Sequence, residues 1–234
     1  MGYNNVELKS LCSSFEKLFV PTISDVIDEM GFRNQCMDYG FRSINPGDVV
    51  AGQAFTLELG LETEIYGKDK TEASLEEIVE RINQVFGSMP RHSIVVVNCN
   101  FCYEAGAWGE LMSTVAKYTK EARGAVIDGA IRDISRIRRL GFPVWYKAAS
   151  PREAFGRISV KKTNERIWCG GRIVSPGDFI MADEDGVVVI PTDKMDLKKV
   201  LKKAQKITEL EDKSRAELRK GHSLQDVFKK YGVL

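Results

Sequence analysis

Two short segments hold the residue types that could do chemistry together. Gly106-Ala107-Trp108-Gly109-Glu110-Leu111-Met112 sets a carboxylate beside a glycine-bounded turn, and Asp128-Gly129-Ala130-Ile131-Arg132-Asp133 ends on an adjacent cation and carboxylate. The planar fork of Arg132 suits a carboxylate or keto oxygen. Asp133 and Glu110 supply hard oxygens of the kind that hold Mg²⁺ or Mn²⁺, ions that keep several waters and take one or two protein carboxylates. If a helix begins at Gly109-Glu110, the amides of Leu111 and Met112 are unpaired donors for a carboxylate or oxyanion. The same residue types also allow a plainer reading. Glu110 and Asp133 are then first-turn acids favoured by a helix dipole, and Arg132 is a surface residue.

Other chemistries find fewer footholds. No Gly-x-Gly occurs, so the glycine turn of a dinucleotide or methyl-donor loop has no candidate and no nucleotide cofactor is expected. Gly67-Lys68-Asp69 has Glu62 where a phosphate loop needs its first glycine, and no Ser or Thr follows the lysine; it reads as a charged surface turn. There is no Gly-x-Ser-x-Gly elbow, and His92 and His222 are the only histidines available for a Ser-His or Cys-His couple. Cys99-Asn-Phe-Cys102 has redox spacing but closes an apolar strand, whereas a reactive pair sits at a helix start, where amides lower a thiol pKa. With Cys12, Cys36 and Cys169, these thiols read as small buried hydrophobes.

The elements that must position the two segments follow from hydrophobic periodicity. Leu8, Leu11, Cys12, Phe15, Leu18 and Phe19 recur at helical spacing, and Pro21-Thr22 begins a second helix. Val49 to Leu59 is β-rich. Glu72 to Gly87 carries Leu75, Ile78, Val79, Ile82, Val85 and Phe86 as an apolar stripe on an acidic helix. A strand over Ile94 to Cys99 leads into the first chemical segment, whose helix is expected to bury Leu111, Met112, Val115 and Ala116. A strand over Ala125 to Asp128 leads to a Gly129-Ala130 turn and a helix with Ile134, Ile137 and Leu140. Short β-prone runs follow at Val144–Tyr146, Ile167–Val174, Phe179–Met181 and Val187–Ile190, separated by Pro and Gly turns. From Lys194 the chain turns helical, with Leu197, Val200, Leu201, Ala204 and Ile207 on one face; Gly221 breaks the helix and Ser223 caps a last one. The pattern is one α/β domain over 1–193 with a helical extension over 194–234.

Bulk properties narrow the function classes. The 234 residues can bury a full core without disulfides or a structural metal. Lys plus Arg number 34 against 33 Asp plus Glu, a balance that disfavours a general nucleic-acid binder. Acids interleave with the lysines of the tail, which reads as a solvated or intersubunit face. No apolar run approaches a membrane span, so no membrane partner is expected. The amino terminus lacks the layout of a secretory signal, and five scattered cysteines fit a reduced compartment, so a cytoplasmic location is expected.

Longer stretches carry a resemblance. Gly109-Glu110-Leu111-Met112, Ala125 through Asp133 and Gly141-Phe142-Pro143-Val144 are similar to the RraA-like family, as are Ser150-Pro151-Arg152 and Gly170 through Asp178. So are Ala182 through Pro191 and the closing Tyr231-Gly232-Val233-Leu234. That family includes the class II 4-hydroxy-4-methyl-2-oxoglutarate/4-carboxy-4-hydroxy-2-oxoadipate aldolases and was formerly labelled as a menaquinone methyltransferase. The resemblance implies a swivelling β/β/α sandwich, here with helical amino- and carboxyl-terminal extensions. It also implies a homotrimer or pair of trimers with sites between subunits, and a Mg²⁺- or Mn²⁺-dependent aldolase releasing pyruvate from a small 2-oxo acid, with oxaloacetate decarboxylase activity. Under it, Asp133 anchors the metal, Glu110 acts on the metal through water, and Arg132 polarises the substrate's keto oxygen. Gly109, Glu110, Leu111 and Met112 cradle the pyruvyl end.

Two departures from the family pattern stand out: glutamate replaces aspartate at 110, and the spacer to Arg132-Asp133 is one residue longer, with the extra residue expected near Lys120–Arg123. Two alternatives stay open. Some members of the family inhibit a ribonuclease instead of catalysing, although those lack the complete Arg-Asp pair. A related lyase acting on a sugar-acid-derived 2-oxo acid is the other.

Overall fold

The computed structural model describes residues 4–62 and 72–233. Strand β3 (Ser93–Asn98) shows why the sheet is built as it is. Its side chains alternate between two cores: Val95 and Val97 join Phe55, Leu57 and Ile127 on one face, while Ile94 and Val96 join Val126, Trp145 and Ile180 on the other. A strand covered on both sides has no polar face, which is why it reads as a continuous apolar run. It lies parallel to β2 (Val50–Leu61) on one side and β4 (Gly124–Ile131) on the other. The parallel set continues into β5 (Val144–Ala149), and the two-residue β1 (Arg42–Ser43) closes that edge antiparallel.

On its other side the long β2 divides its pairing. Val50–Gln53 pairs antiparallel with β9 (Phe179–Asp183), and Leu57–Leu61 pairs antiparallel with β6 (Ile158–Thr163). With β10 (Gly186–Ile190) beside β9, the strand order is β1-β5-β4-β3-β2-β9-β10, with β6 also on β2. The hairpin of β7 (Ile167–Cys169) and β8 (Arg172–Val174) packs Ile167, Cys169 and Val174 over the Ile94 and Val96 face.

Helices cover the remaining surfaces. Helix α3 (Glu72–Ser88), α4 (Glu110–Thr114) and α5 (Ile134–Leu140) lie over the Val95 and Val97 face, contributing Phe86, Met112 and Ile137. At the antiparallel end, α1 (Asn5–Phe15), α2 (Val20–Glu29) and α6 (Leu197–Arg219) share a core with Phe179, Met181 and Val188. Helix α7 (Leu224–Tyr231) folds back on α6, with the Ser223 hydroxyl accepting from the Asp226 amide at its cap. No helix among the described residues is long and apolar enough to cross a membrane.

Three sequence expectations are corrected here. Gly129-Ala130 is not a turn: β4 runs through it with a register shift against β5 between Ile127 and Ala130, so the strand carries the chain on to Ile131. Strand β6 was not expected, because Ile158–Thr163 mixes Lys161 and Lys162 into a half-exposed edge with no clean alternation. Leu111 does not join the buried face of its helix; it is 68% exposed, while Ser113 and Ala116 are buried. Gly67-Lys68-Asp69 lies outside the described residues.

Candidate active site at the carboxyl end of β4

Open α/β sheets place ligands at the carboxyl ends of parallel strands, where backbone donors and loop side chains converge. Here β4 ends at Ile131, so Arg132 and Asp133 are the first residues past the sheet. A neighbouring loop is stitched to this strand end. The Ala107 amide donates to the Ala130 carbonyl at 2.8 Å and the Arg132 amide to the Trp108 carbonyl at 2.9 Å, pairing Trp108 in parallel with Ile131. The two segments that held the candidate chemistry are thus brought side by side.

Glycine makes that approach possible. A Cβ on Gly106 would stand 2.8 Å from Arg132 Cβ and 3.0 Å from the Ser150 carbonyl, and one on Gly109 would stand 3.0 Å from Asp133 Oδ2 and 3.3 Å from Arg132 Cγ. Gly109 itself is extended, at φ −145°, so its requirement is space and not backbone freedom. Trp108 fixes the turn between the two glycines. Its indole Nε1 donates to Ser113 Oγ at 2.7 Å, and that hydroxyl donates to the Gly109 carbonyl at 3.1 Å, both within buried surroundings.

Asp133 is not placed as an ordinary helix cap. It is the N-cap residue of α5, a position where an aspartate ordinarily accepts from an amide one turn inside the helix. No such bond forms, and the backbone sits in the left-handed region at φ 59°, ψ 29°. Instead Oδ2 lies 3.4 Å from the Glu110 amide, which donates to it, and 3.7 Å from Arg132 Nε. The carboxylate is thus turned from its own helix toward Glu110 and Arg132, on a left-handed backbone that aspartate adopts more readily than most L-residues.

Glu110 is placed differently from its neighbours. It opens α4, but its Oε1 accepts from Thr114 Oγ1 at 2.7 Å, and the side chain does not line the cavity beside Asp133. Its backbone amide, not its carboxylate, faces Asp133. Beyond α4 the helix widens into a π turn over Val115–Thr119. A π turn holds one residue more per hydrogen-bonded ring than an α turn, so it absorbs an extra residue inside the helix.

Asp128, at the start of the second segment, belongs to the other face of the sheet. Its Oδ1 is 2.8 Å from Lys147 Nζ, and its Oδ2 accepts from the Gly170 amide at 2.7 Å, tying β4 to β5 and to the hairpin turn. Burial opposes the Lys147 charge, yet the hydrogen bond and field of Asp128 outweigh it and raise the lysine pKa. Cys99 lies beneath Gly129; burial, then the Asp128 charge, push its thiol far above the ordinary range. Cys169 is raised for the same leading reason.

A cavity of about 310 Å³ opens from Arg132 and Asp133. It is lined by Gly106, Ala107, Trp108, Gly109, Leu111 and Met112 together with residues of β2, α3 and β6 and of the loop before β6. Of the residues singled out from the sequence, Gly109, Leu111, Met112, Arg132 and Asp133 therefore meet at one opening. The wall residues Leu57, Leu59, Ile158 and Val160 were not identifiable, because their inclusion depends on how β6 pairs with the end of β2.

The donor set bears on a metal. Among the described residues no three His, Cys, Asp or Glu side chains converge as a metal cage. Asp133, a single hard carboxylate at an opening roughly one-third exposed, fits an ion that keeps most of its waters, as Mg²⁺ and Mn²⁺ do.

This mixed sheet, with an Arg-Asp pair beside close-packed glycines at the end of a parallel strand, defines an α/β protein. Residues 20–189 match the model of the RraA-like family, described as Aldolase/RraA, and the chain belongs to that family. It is 34% identical over 193 residues to a Halalkalibacterium halodurans protein provisionally named as a 4-hydroxy-4-methyl-2-oxoglutarate aldolase, covering 80% of this chain and 79% of that one. An uncharacterised Methanocaldococcus jannaschii protein is 42% identical over 126 residues, 54% of this chain and 59% of that protein's length. The match thus spans about three-fifths of that archaeal relative. Among solved structures, Streptomyces coelicolor RraAS2, described as an unusual member of the RNase ES inhibitor RraA family, superposes with a TM-score of 0.72 at 25% identity. That alignment covers 88% of this chain and 96% of RraAS2.

Proposed function

We propose that the chain is an aldolase that releases pyruvate from a 4-hydroxy-2-oxo acid with the help of Mg²⁺ or Mn²⁺. The observation that carries this reading is Asp133, held off its own helix beside Arg132 in the lining of the cavity. The name of the 34% identical relative supports it.

In such a cleavage the C3–C4 bond breaks as the C4 hydroxyl loses its proton to water. C4 leaves as a carbonyl, and the electron pair passes to C3 and the keto oxygen as an enolate, which takes a proton at C3 to become pyruvate. The barrier lies in the charge that develops on the keto oxygen, and preorganised donors lower it. Arg132 directs its guanidinium to that oxygen, its stem wedged over Gly106 and Gly109 so that it need not reorganise during the reaction. Amides of the first turn of α4 receive the pyruvyl carboxylate. Asp133 would hold the metal, which supplies a second positive charge for the 2-oxo acid end. The same enolate forms when oxaloacetate loses carbon dioxide, so one site accommodates both reactions. A trimer or pair of trimers, with a neighbour completing the opening, is part of the proposal and is read by sedimentation.

The test is a panel of 4-hydroxy-2-oxo acids and oxaloacetate with the full chain and Mg²⁺ or Mn²⁺, following pyruvate. Arg132→Ala and Asp133→Ala are expected to lose about 10²-fold or more in rate with folding intact. If no 2-oxo acid is cleaved or decarboxylated, and both variants match the parent in every ligand assay, the reading is wrong. The likeness to RraAS2 favours a second reading, a protein-binding inhibitor of a ribonuclease. Capture of a ribonuclease that is indifferent to Arg132→Ala would support it.

A further inference from the structure

The cavity behind Arg132 and Asp133 is unlike a receptor for a dianion. Beyond the polar mouth its walls are Leu57 and Leu59 from β2, Ile78 and Ile82 from α3, and Ile158 and Val160 from β6. Its cations among the described residues are Arg132, already at the mouth, and Arg81, whose guanidinium is 2.5 Å from Glu77 on its own helix. A second substrate carboxylate entering this chamber would leave water for these apolar walls. An alkyl or aryl group would instead gain by burial.

The volume agrees with this division. About 310 Å³ sits at the lower end of small-molecule pockets, which are mostly apolar with a few polar groups that fix orientation. Arg132 and Asp133 are among the few polar side chains of a lining that is otherwise largely apolar.

We propose that the substrate's C4 substituent is apolar: the site takes 4-hydroxy-2-oxo acids bearing an alkyl or aryl tail in preference to those bearing a second carboxylate. This rests on the aldolase reading for the cleavage step, while the apolar subsite itself rests only on the walls. The experiment therefore has two arms. In the first, pyruvate release is followed for straight-chain 4-hydroxy-2-oxo acids of increasing length and for 4-hydroxy-4-methyl-2-oxoglutarate. In the second, binding of uncleavable 2-oxo acids, 2-oxobutanoate through 2-oxooctanoate against 2-oxoglutarate, is read by calorimetry with Mg²⁺ present.

Affinity and kcat/KM are expected to rise about fourfold per added methylene until the chamber is full. The dicarboxylates are expected to fall below the monocarboxylates of equal length. Ile78→Lys, which places a cation on the wall outside the Arg132 site, is expected to flatten the chain-length slope and to narrow the gap to the dicarboxylates. Cleavage with a flat slope and a preferred dicarboxylate overturns the apolar subsite and leaves the aldolase reading standing. Binding that climbs with chain length without any cleavage does the reverse. No cleavage and a flat binding series overturn both.

Discussion

Gly109→Ala separates positioning from folding. The new methyl would stand 3.0 Å from Asp133 Oδ2, 3.3 Å from Arg132 Cγ and 3.5 Å from Arg132 Nε, so the carboxylate and the guanidinium stem must each give way by a few tenths of an ångström. The backbone accepts alanine readily at φ −145°. Losing an N-cap glycine costs about 1 kcal/mol, and the less flexible unfolded chain returns about 0.4–1 kcal/mol, so stability is nearly unchanged. Activity is another matter. A misplacement of about 1 Å costs about 10²-fold in rate, so a shift of a few tenths predicts about a tenfold fall in kcat/KM, or about 1.4 kcal/mol. Pyruvate release and thermal unfolding measured on the same preparation provide the comparison. Parental kcat/KM at parental stability would refute the argument that the glycine floor sets the Arg132 and Asp133 geometry. A collapse in stability would refute the argument that this glycine is needed only for space.

Two further expectations concern the scaffold. Ser113→Ala removes the acceptor for the buried Trp108 Nε1 and should cost about 1–3 kcal/mol, a drop of roughly 2–10 °C in Tm. Calorimetry reads it, and kcat/KM should fall with it because the Gly109 carbonyl keeps the Ser113 amide but loses the hydroxyl as a donor. Burial raises the Cys12 thiol from 9.0 to about 11. Because the folded pKa lies above the unfolded one, the stability this group contributes is full below pH 9 and is lost as pH rises through about 11. Unfolding free energy should therefore fall by about 3 kcal/mol more over that window in the parent than in Cys12→Ala, measured by denaturant titration at each pH.

The sequence exposes the site more clearly than it exposes the chamber behind it. Arg132-Asp133 and Gly109-Glu110 stand out because charged and glycine residues interrupt apolar runs, and strand-to-helix junctions are visible in the pattern. The two-faced β3 is legible for the same reason, as an apolar run too short for a membrane and bounded by polar residues. What local pattern does not carry is pairing. Ile158–Thr163 becomes a strand only because the end of β2 needs a partner after β9 has departed, and that pairing brings Ile158 and Val160 to the cavity. Glu110 shows a second limit: residue type allows it a ligand role, while the bond its Oε1 accepts from Thr114, one turn along α4, is visible only in the structure. The Gly129-Ala130 pair misled in the same way, since a shift in β-sheet register uses glycine for close approach to Cys99 and not for a turn.

The account stands most directly on Asp133 beside Arg132, and Asp133→Asn tests it with almost no change in shape. Pyruvate release should be measured across a Mg²⁺ titration for the parent and for Asp133→Asn, with matched thermal unfolding. The account predicts a loss of about 10²-fold or more, with the metal dependence abolished or shifted to much higher concentration and the fold unaltered. An Asp133→Asn protein that releases pyruvate at the parental rate with the parental Mg²⁺ response would contradict it.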